Sequence, residues 1–211
     1  MRSIVNAMQQ AETRPAPDAG LAHLPPRERI LAAARELFYR HGIRAVGVDA
    51  IAEAAGTNKM TLYRHFASKD ELVAACLVQV AAEDEARWQA LAAAHPDAKG
   101  QLLGWLSQLR EKMMVVGERG CPFANAAVEL PDKDHPARRI IEAHKLRRRD
   151  SIVELCRTGG LSEPERLADE IFLLIEGANV CLQSMGPSGP AQHFVSMAQA
   201  LIADHETRGR R

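Results

Sequence analysis

Residues 48–66 constrain the fold of this chain more than any other part of its sequence. The first half of the stretch places apolar residues at the i, i+3, i+4 and i+7 spacing of a buried helix face: Val48, Ile51, Ala52 and Ala55. Gly56 follows at once, and glycine is the residue that most often ends a helix in a left-handed conformation. Thr57 or Asn58 can then cap a second helix with a side-chain oxygen.

The second helix of this stretch combines a narrow apolar edge with a polar surface. Leu62 and Phe66 stand at i, i+4 and predict the edge that packs inward. Polar or charged side chains surround that edge: Lys59, Thr61, Tyr63, Arg64 and His65. Two short helices joined by a tight glycine turn form a helix-turn-helix, and the polar second helix suits the major groove of DNA. A helical hairpin with a solvated polar face is the alternative that this pattern leaves open.

The residues that follow favour the DNA-binding interpretation. Ser68 and Glu71 form a capping box that opens a further helix. The run 42–72 resembles the DNA-binding domain of TetR-family transcriptional regulators, and the resemblance extends over about residues 27–80. The matching residues are Gly42, Val48, Ile51, Ala52, Ala55, Gly56, Thr61, Leu62, Tyr63, Phe66, Ser68, Lys69 and Leu72. The resemblance implies a DNA-binding regulator, most often a repressor.

The sequence departs from the family pattern at two places. The family usually has Ser or Thr just before the second helix, where this chain has Val46 and Gly47. Glycine can still cap a helix, but less well than serine. The family often has glycine in the first turn of the recognition helix, where this chain has Met60. We expect the missing hydroxyl to affect operator affinity more than the fold, and a substitution at Met60 to change sequence preference.

The predicted DNA contacts combine the polar second helix with its flanks. They are Arg44, Thr57, Lys59, Met60, Thr61, Tyr63, Arg64, His65 and Lys69. The resemblance implies that Tyr63 and Lys69 touch phosphates. Arg44 and Thr57 flank the groove as further phosphate candidates, and Thr61 is expected to influence sequence preference.

The composition favours helices and restricts where DNA can bind. Hydrophobic residues make up 46% of the 211 residues and aromatic residues only 4%, which is typical of helices packed through aliphatic side chains. The formal net charge is zero, so DNA binding has to rest on a local surface. Residues 27–75 carry only a small excess of basic side chains. This implies a domain that binds DNA as a dimer, and not one that binds through a broadly positive surface.

We therefore predict an all-α chain with an N-terminal three-helix helix-turn-helix DNA-binding domain and a C-terminal helical effector-binding and dimerisation domain. The predicted boundaries are 1–26 for a disordered arm, 27–75 for the DNA-binding domain, 76–206 for the helical body and 207–211 for a tail. Periodicity, prolines and caps predict helices over 27–41, 69–94, 99–119 and 122–130. Three further helices are predicted after these. The first ends near residue 157, the second begins with a Ser162–Glu165 capping box and ends at 185, and the third ends near 205.

The last two predicted helices each carry an apolar stripe. In proteins of the resembled family these helices pair with their copies in a four-helix interface, and a twofold operator requires a dimer. The predicted interface residues are Leu167, Ile171, Leu174, Ala178, Leu182, Phe194, Ala198, Leu201 and Ile202. The alternative is that both stripes are buried in the core of one monomer.

A sensing body needs a mostly apolar cavity with a few polar groups. The middle helices offer apolar walls and isolated polar residues, each of which could instead satisfy a backbone group or point to water. The predicted effector contacts are Trp105, Leu109, Met113, Phe123, Asn125, Glu129, His144, Ile152, Phe172, Glu176 and Asn179. We expect a small, largely apolar effector that accepts or donates one or two hydrogen bonds.

Two further features have competing interpretations. The basic run 145–149 wraps too far around a helix to form one stripe, so we expect a solvated face and not a second nucleic-acid patch, although Arg148 can turn inward one turn after His144. Cys121 lies just before a predicted helix start, a position that favours thiolate chemistry and a redox switch. A small buried hydrophobe is the default interpretation of such a cysteine.

An all-helical enzyme or interaction module is the alternative class of protein. The sequence has no His-Glu-x-x-His, no Gly-x-Ser-x-Gly and no phosphate loop, so we expect no enzyme, no cofactor and no metal. Its four cysteines lie far apart and predict reduced thiols in a cytoplasm. No apolar run predicts a signal peptide or a membrane span.

Overall fold

The computed structural model describes residues 23–115 and 119–209. Most of the predicted N-terminal arm, and the end of the predicted tail, lie outside these residues. The chain divides between Cys76 and Leu77 into two compact units. The described residues form α-helices, a short 3₁₀ helix and loops, with no strand among them, so the predicted all-α fold is confirmed.

The first unit consists of short helices around a small apolar core. Its helices are α1 (Pro26–His41), α2 (Val48–Ala54), α3 (Lys59–His65) and the first turns of α4 (Lys69–Ala94). The core residues are almost completely buried: Ile30, Ala34, Phe38, Ile51, Leu62, Phe66, Leu72 and Val73. The prediction that Leu62 and Phe66 face the core is confirmed, and their burial determines which side of α3 faces away from it.

Capping contacts determine where α2 and α3 begin and end. Gly47 precedes α2 without any side-chain hydrogen bond, as expected for a glycine cap. Gly56 ends the turn after α2 at a φ of +60°, a conformation that side chains with a Cβ rarely adopt. Asn58 then caps α3, because its side-chain oxygen accepts a hydrogen bond from the Thr61 N–H at 2.9 Å.

The predicted capping box at the start of α4 is confirmed. The Ser68 hydroxyl accepts a hydrogen bond from the Glu71 N–H at 3.0 Å. The Glu71 carboxylate reaches back to accept from the Ala67 N–H at 2.7 Å, one residue before the serine. Both bonds satisfy backbone donors that have no partner inside the helix.

The second unit contains the rest of α4 and a bundle of further helices. These are α5 (Ala98–Met113), α6 (Pro122–Glu129), α7 (Pro136–Thr158), α8 (Pro164–Met185), a 3₁₀ helix (Pro190–His193) and α9 (Phe194–Gly209). The core lies between α5, α7, α8 and α9, with Leu102, Leu106, Ile152, Leu167, Ile171 and Ile202 among its fully buried side chains. No helix in the described part of the chain is long and apolar enough to cross a membrane.

Two predicted helix ends were wrong. Helix α5 ends at Met113 and not near residue 119, and its last turn carries Arg110 and Lys112, whose charges suit the carbonyl end of a helix. Helix α9 continues to Gly209 through most of the predicted tail. An i, i+4 ion pair between Arg208 and Asp204, with N–O distance 2.7 Å, supports these last turns.

The predicted capping box at Ser162 was also wrong. Helix α8 is preceded by Glu163, which adopts a left-handed conformation with φ of 48°, and Pro164 occupies the first helical position. The Ser162 hydroxyl instead donates to the backbone oxygen of His205 at 2.8 Å. The His205 ring is buried, and its Nδ1 lies 2.5 Å from the backbone carbonyl oxygen of Ser162. These two contacts connect α9 to the residues just before α8.

Candidate DNA-reading surface and effector cavity

The reader helix, α3, presents one face away from the core of the first unit. Successive helix residues are rotated by about 100°, so the side opposite Leu62 and Phe66 is occupied by Met60 and Arg64. Both are exposed, and Met60 has 70% of its surface accessible. Because base edges in the major groove are read by the side of a helix that points away from its own core, these two positions have the most direct access.

The remaining predicted DNA contacts surround this face. Exposed side chains are Arg44, Lys59, Tyr63 and His65, and half-buried ones are Thr57, Thr61 and Lys69. The Lys59 ammonium forms an exposed ion pair with Asp49, with N–O distance 3.3 Å. The Lys69 ammonium lies 5.9 Å from the centre of the Phe38 ring. This cation–π contact favours one position of the Lys69 side chain at the start of α4.

The Asn58 cap gives a first prediction. Asn58→Ala removes the side-chain acceptor of the Thr61 N–H, so we expect a loss of about 1 kcal/mol in the free energy of unfolding of the first unit. Urea denaturation would measure it. Asn58→Asp keeps an acceptor oxygen and should retain most of the stability, and equal losses for both variants would contradict the capping role.

The second unit contains a cavity of about 110 Å³ between α4, α5, α6, α7 and α8. Predicted effector contacts that line it are Trp105, Leu109, Met113, Phe123, His144, Phe172, Glu176 and Asn179. Three others do not. Ile152 is fully buried in the core, Glu129 lies outside the lining, and Asn125 bonds to the Arg119 backbone oxygen at 2.8 Å and to Gln183 at 3.1 Å.

Sequence reasoning missed most of the charged residues of the cavity. They are Asp84 and Arg87 on α4, Lys112 on α5 and Lys145 on α7. The expected solvated face over 145–149 was wrong for Lys145, whose side chain is 22% exposed. Arg148, with its side chain 8% exposed, turns inward as the sequence allowed. The i, i+4 spacing of His144 and Arg148 was the signal in the sequence, since it places both on one face of α7.

Arg148 is held by an ion pair and an aromatic ring. Its Nη2 donates to the Asp84 carboxylate at 2.7 Å, which joins α7 to α4. The guanidinium carbon lies 4.0 Å from the centre of the Trp88 ring, and Trp88 meets Trp105 edge-on with 5.5 Å between ring centres. Both contacts therefore hold Arg148 in place at the cavity wall.

His144 contributes a neutral ring to the same wall. Burial lowers its pKa to about 4, and the nearby Arg148 and Lys145 charges act in the same direction against the opposing effect of Asp84. The ring stacks on Phe123 with 3.8 Å between centres. At neutral pH His144 therefore adds an apolar face and hydrogen-bonding nitrogens, but no charge.

Lys145 faces the cavity from the next position of α7. Its ammonium forms an ion pair with Glu176 on α8 and lies 5.5 Å from the centre of the Phe172 ring. The Cys121 sulfur is 3.5 Å from the same nitrogen. Cys121 is half-buried and lines the cavity, so it is more accessible than the small buried hydrophobe of the default interpretation.

The apolar stripe that was predicted to form the dimer interface is largely buried in the core of a single chain. Seven of its members are buried in the core of the second unit: Leu167, Ile171, Ala178, Leu182, Phe194, Ala198 and Ile202. Only Leu174 and Leu201 are half-buried. A different face of the same helices exposes apolar side chains, with Leu173 at 71%, Val180 at 64% and Met197 at 52%.

Family models match both units of the chain. Residues 30–76 match the model described as "Bacterial regulatory proteins, tetR family", and residues 101–198 match "Tetracyclin repressor-like, C-terminal domain".

Within the described residues no group of three His, Cys, Asp or Glu side chains could hold a metal ion.

Curated relatives are regulators of transcription. The chain is 29% identical over 158 residues to the HTH-type transcriptional repressor SCO4008 of Streptomyces coelicolor, covering 72% of this chain and 75% of the relative. It is 41% identical over 75 residues to the activator FasR of Mycolicibacterium smegmatis and 42% over 55 residues to UidR of Escherichia coli. These two matches span only 34% and 28% of those relatives' lengths.

Solved structures share the fold over most of the chain. SCO4454, a TetR-family regulator from Streptomyces coelicolor, superimposes with a TM-score of 0.81 at 31% identity, covering 85% of this chain and 95% of that one. A TetR regulator of Streptomyces avermitilis, sav143, gives 0.77 at 29% identity over 87% and 99% of the two chains. The chain belongs to the TetR family of bacterial transcriptional regulators, which bind DNA and are not enzymes.

Proposed function

We propose that the protein binds a pseudo-palindromic operator as a homodimer and represses transcription until a small effector enters the cavity. The observation that carries the DNA-binding part is α3, which buries Leu62 and Phe66 and turns Met60 and Arg64 outward. Repression rather than activation is supported by SCO4008, which is named a repressor and is matched over 75% of its length.

The proposed contacts divide into base-reading and phosphate-binding groups. Met60, Thr61 and Arg64 lie on or beside the outward face of α3, so we assign them to base edges. Tyr63 and Lys69 lie at its flank and at the start of α4, so we assign them to phosphates. Substitutions in the first group should change sequence preference, and substitutions in the second should weaken binding to every sequence.

Lys69→Gln tests this division. Removing one phosphate-binding ammonium from each subunit should weaken binding to operator and unrelated DNA alike, and reduce the salt slope by about one unit for each phosphate that is no longer neutralised. Fluorescence anisotropy over a range of salt concentrations measures both quantities. Lys133→Gln changes an exposed lysine in the loop before α7 and serves as the control. An unchanged salt slope for Lys69→Gln would show that the docking geometry is wrong.

The proposed dimer uses the exposed apolar face of α8 and α9. Leu173 and Val180 stand two turns apart on α8, with Gly177 between them, and Met197 is exposed on α9. Exposed apolar side chains at this spacing are unusual on a helix that faces only water. A twofold operator requires two reader helices, and a pair of helices from each subunit would form a four-helix interface.

The proposed switch runs through α4. This helix begins at Lys69 in the first unit and supplies Asp84 to the cavity wall of the second. An effector that binds tightly only when α4 has shifted would favour a state with displaced reader helices. By reciprocity, operator DNA would weaken effector binding by the same factor. Titrating the effector with and without operator duplex tests this, and equal affinities would contradict it.

Oxidation of Cys121 is the alternative switch. It is favoured by the Lys145 ammonium 3.5 Å from the sulfur and by the position of Cys121 at the cavity. Burial raises the pKa of Cys76 to about 12 and that of Cys156 to about 11, which keeps both as unreactive thiols. Peroxide that releases operator from the parent but not from Cys121→Ser would favour oxidation over effector binding.

A further inference from the structure

Arg148 carries hydrogen-bonding capacity that the surrounding protein does not use. Its Nη2 is taken by Asp84, but Nε and Nη1 are buried and have no acceptor among residues 23–115 and 119–209. A guanidinium has five N–H donors, and buried donors without a partner are costly. Arg148 lines the cavity, so it brings to the wall a cation with buried donors that the protein itself leaves unpaired.

The orientation of Arg148 suits a planar anion. Its guanidinium carbon lies over the Trp88 ring, so its N–H donors are the parts left to bind a partner. Carboxylates match the edges of a guanidinium in geometry and in charge, and such bonds are stronger than those between neutral groups. Because Asp84 already fixes one nitrogen, the side chain would lose little conformational freedom on binding.

The charges around Arg148 favour an anion as well. The cavity is lined by the cations Arg87, Lys112, Lys145 and Arg148 and by the carboxylates Asp84 and Glu176. Lys145 and Glu176 form their own ion pair, and Arg87 lies 3.6 Å from Asp84. The excess of cations raises the local potential and attracts ligands of negative charge.

We propose that the effector is a small carboxylate that accepts a hydrogen bond from the guanidinium of Arg148, whose donors the protein leaves partly unpaired. Its apolar body would lie against Trp105, Phe123 and Phe172, which line the same cavity. A volume of about 110 Å³ suits a body of about one ring. This inference rests on the proposed effector function of the cavity and adds the chemical class of the ligand.

Three probes of matched shape test the inference on the full chain: benzoate, benzamide and benzylamine. Calorimetry or tryptophan fluorescence should show benzoate binding at least about tenfold more tightly than benzamide, because a charge-assisted bond replaces a neutral one. Benzylamine should not bind. Arg148→Met should remove the preference for benzoate, Arg148→Lys should keep part of it, and Arg147→Met, at an exposed neighbour, should keep all of it.

Benzamide binding as tightly as benzoate, no benzoate binding, or an unchanged preference in Arg148→Met would each overturn the inference. If Arg148→Met does not fold, a measurement on the parent protein takes its place: the Nε–H resonance of Arg148 in the ¹⁵N spectrum. Benzoate should shift this resonance, and the absence of a shift would overturn the inference. Inorganic phosphate that binds as tightly as benzoate would also overturn the carboxylate assignment.

Operator release separates this inference from the proposed function. Benzoate that binds through Arg148 without releasing operator DNA would support the ligand class and contradict the proposed switch. Benzamide that binds better than benzoate and releases operator would support the switch and overturn the ligand class.

Discussion

Val180→Arg is expected to convert the proposed dimer into a monomer and to lower operator affinity by about a hundredfold or more. Val180 is 64% exposed in the single chain, so arginine costs the folded subunit little. In the proposed interface the same charge would face its own copy without a partner, at a cost of several kcal/mol. Separate subunits would also lose the gain of about 10²–10⁴ in affinity that comes from linking two binding sites.

Sedimentation velocity measures the oligomeric state, and anisotropy measures operator affinity. Val128→Arg is the matched control, because Val128 is 84% exposed on α6 and lies outside the proposed interface. The control should remain dimeric with unchanged operator affinity. A Val180→Arg variant that stays dimeric would place the interface elsewhere on the molecule.

Leu62→Ala is expected to destabilise the first unit by about 2–5 kcal/mol and to abolish DNA binding. Leu62 lies on the reader helix and is completely buried in the core of the first unit. Truncating it leaves a cavity and removes apolar packing. Met60, two residues earlier, is 70% exposed, and Met60→Ala should change stability by less than about 0.5 kcal/mol.

Amide hydrogen exchange over residues 48–66 would locate the effect in the first unit, and urea denaturation would give its size. Operator binding of Met60→Ala should persist with altered sequence preference. Equal destabilisation by the two substitutions would contradict the assignment of the inward and outward faces of α3.

The first unit was predictable because its signals are local. A glycine at a left-handed turn, an asparagine cap and a Ser68–Glu71 capping box each act within a few residues, and all of them appear in the structure. The capping box at Ser162 failed because Pro164 is well suited to the first helical position, which shifts the cap to Glu163 and leaves the serine to bond to α9.

The cavity was only partly predictable because its charges come from distant parts of the chain. A basic run on α7 predicts a solvated face unless a carboxylate is known to lie against it, and Asp84 is on α4. The interface posed a different difficulty. Helix α8 has apolar residues on two faces, such as Ile171 and Val180, and periodicity alone does not say which face a subunit buries in its own core.

The most direct test of the account is selection of bound duplexes from a random-sequence DNA library by the full chain. We predict enrichment of two inverted half-sites related by a twofold axis, with binding that weakens steeply as salt rises. Arg64→Ala should select a different half-site or relax one position in it. Enrichment of a single unrepeated site, or no enrichment at all, would contradict a dimer that reads a pseudo-palindromic operator through α3.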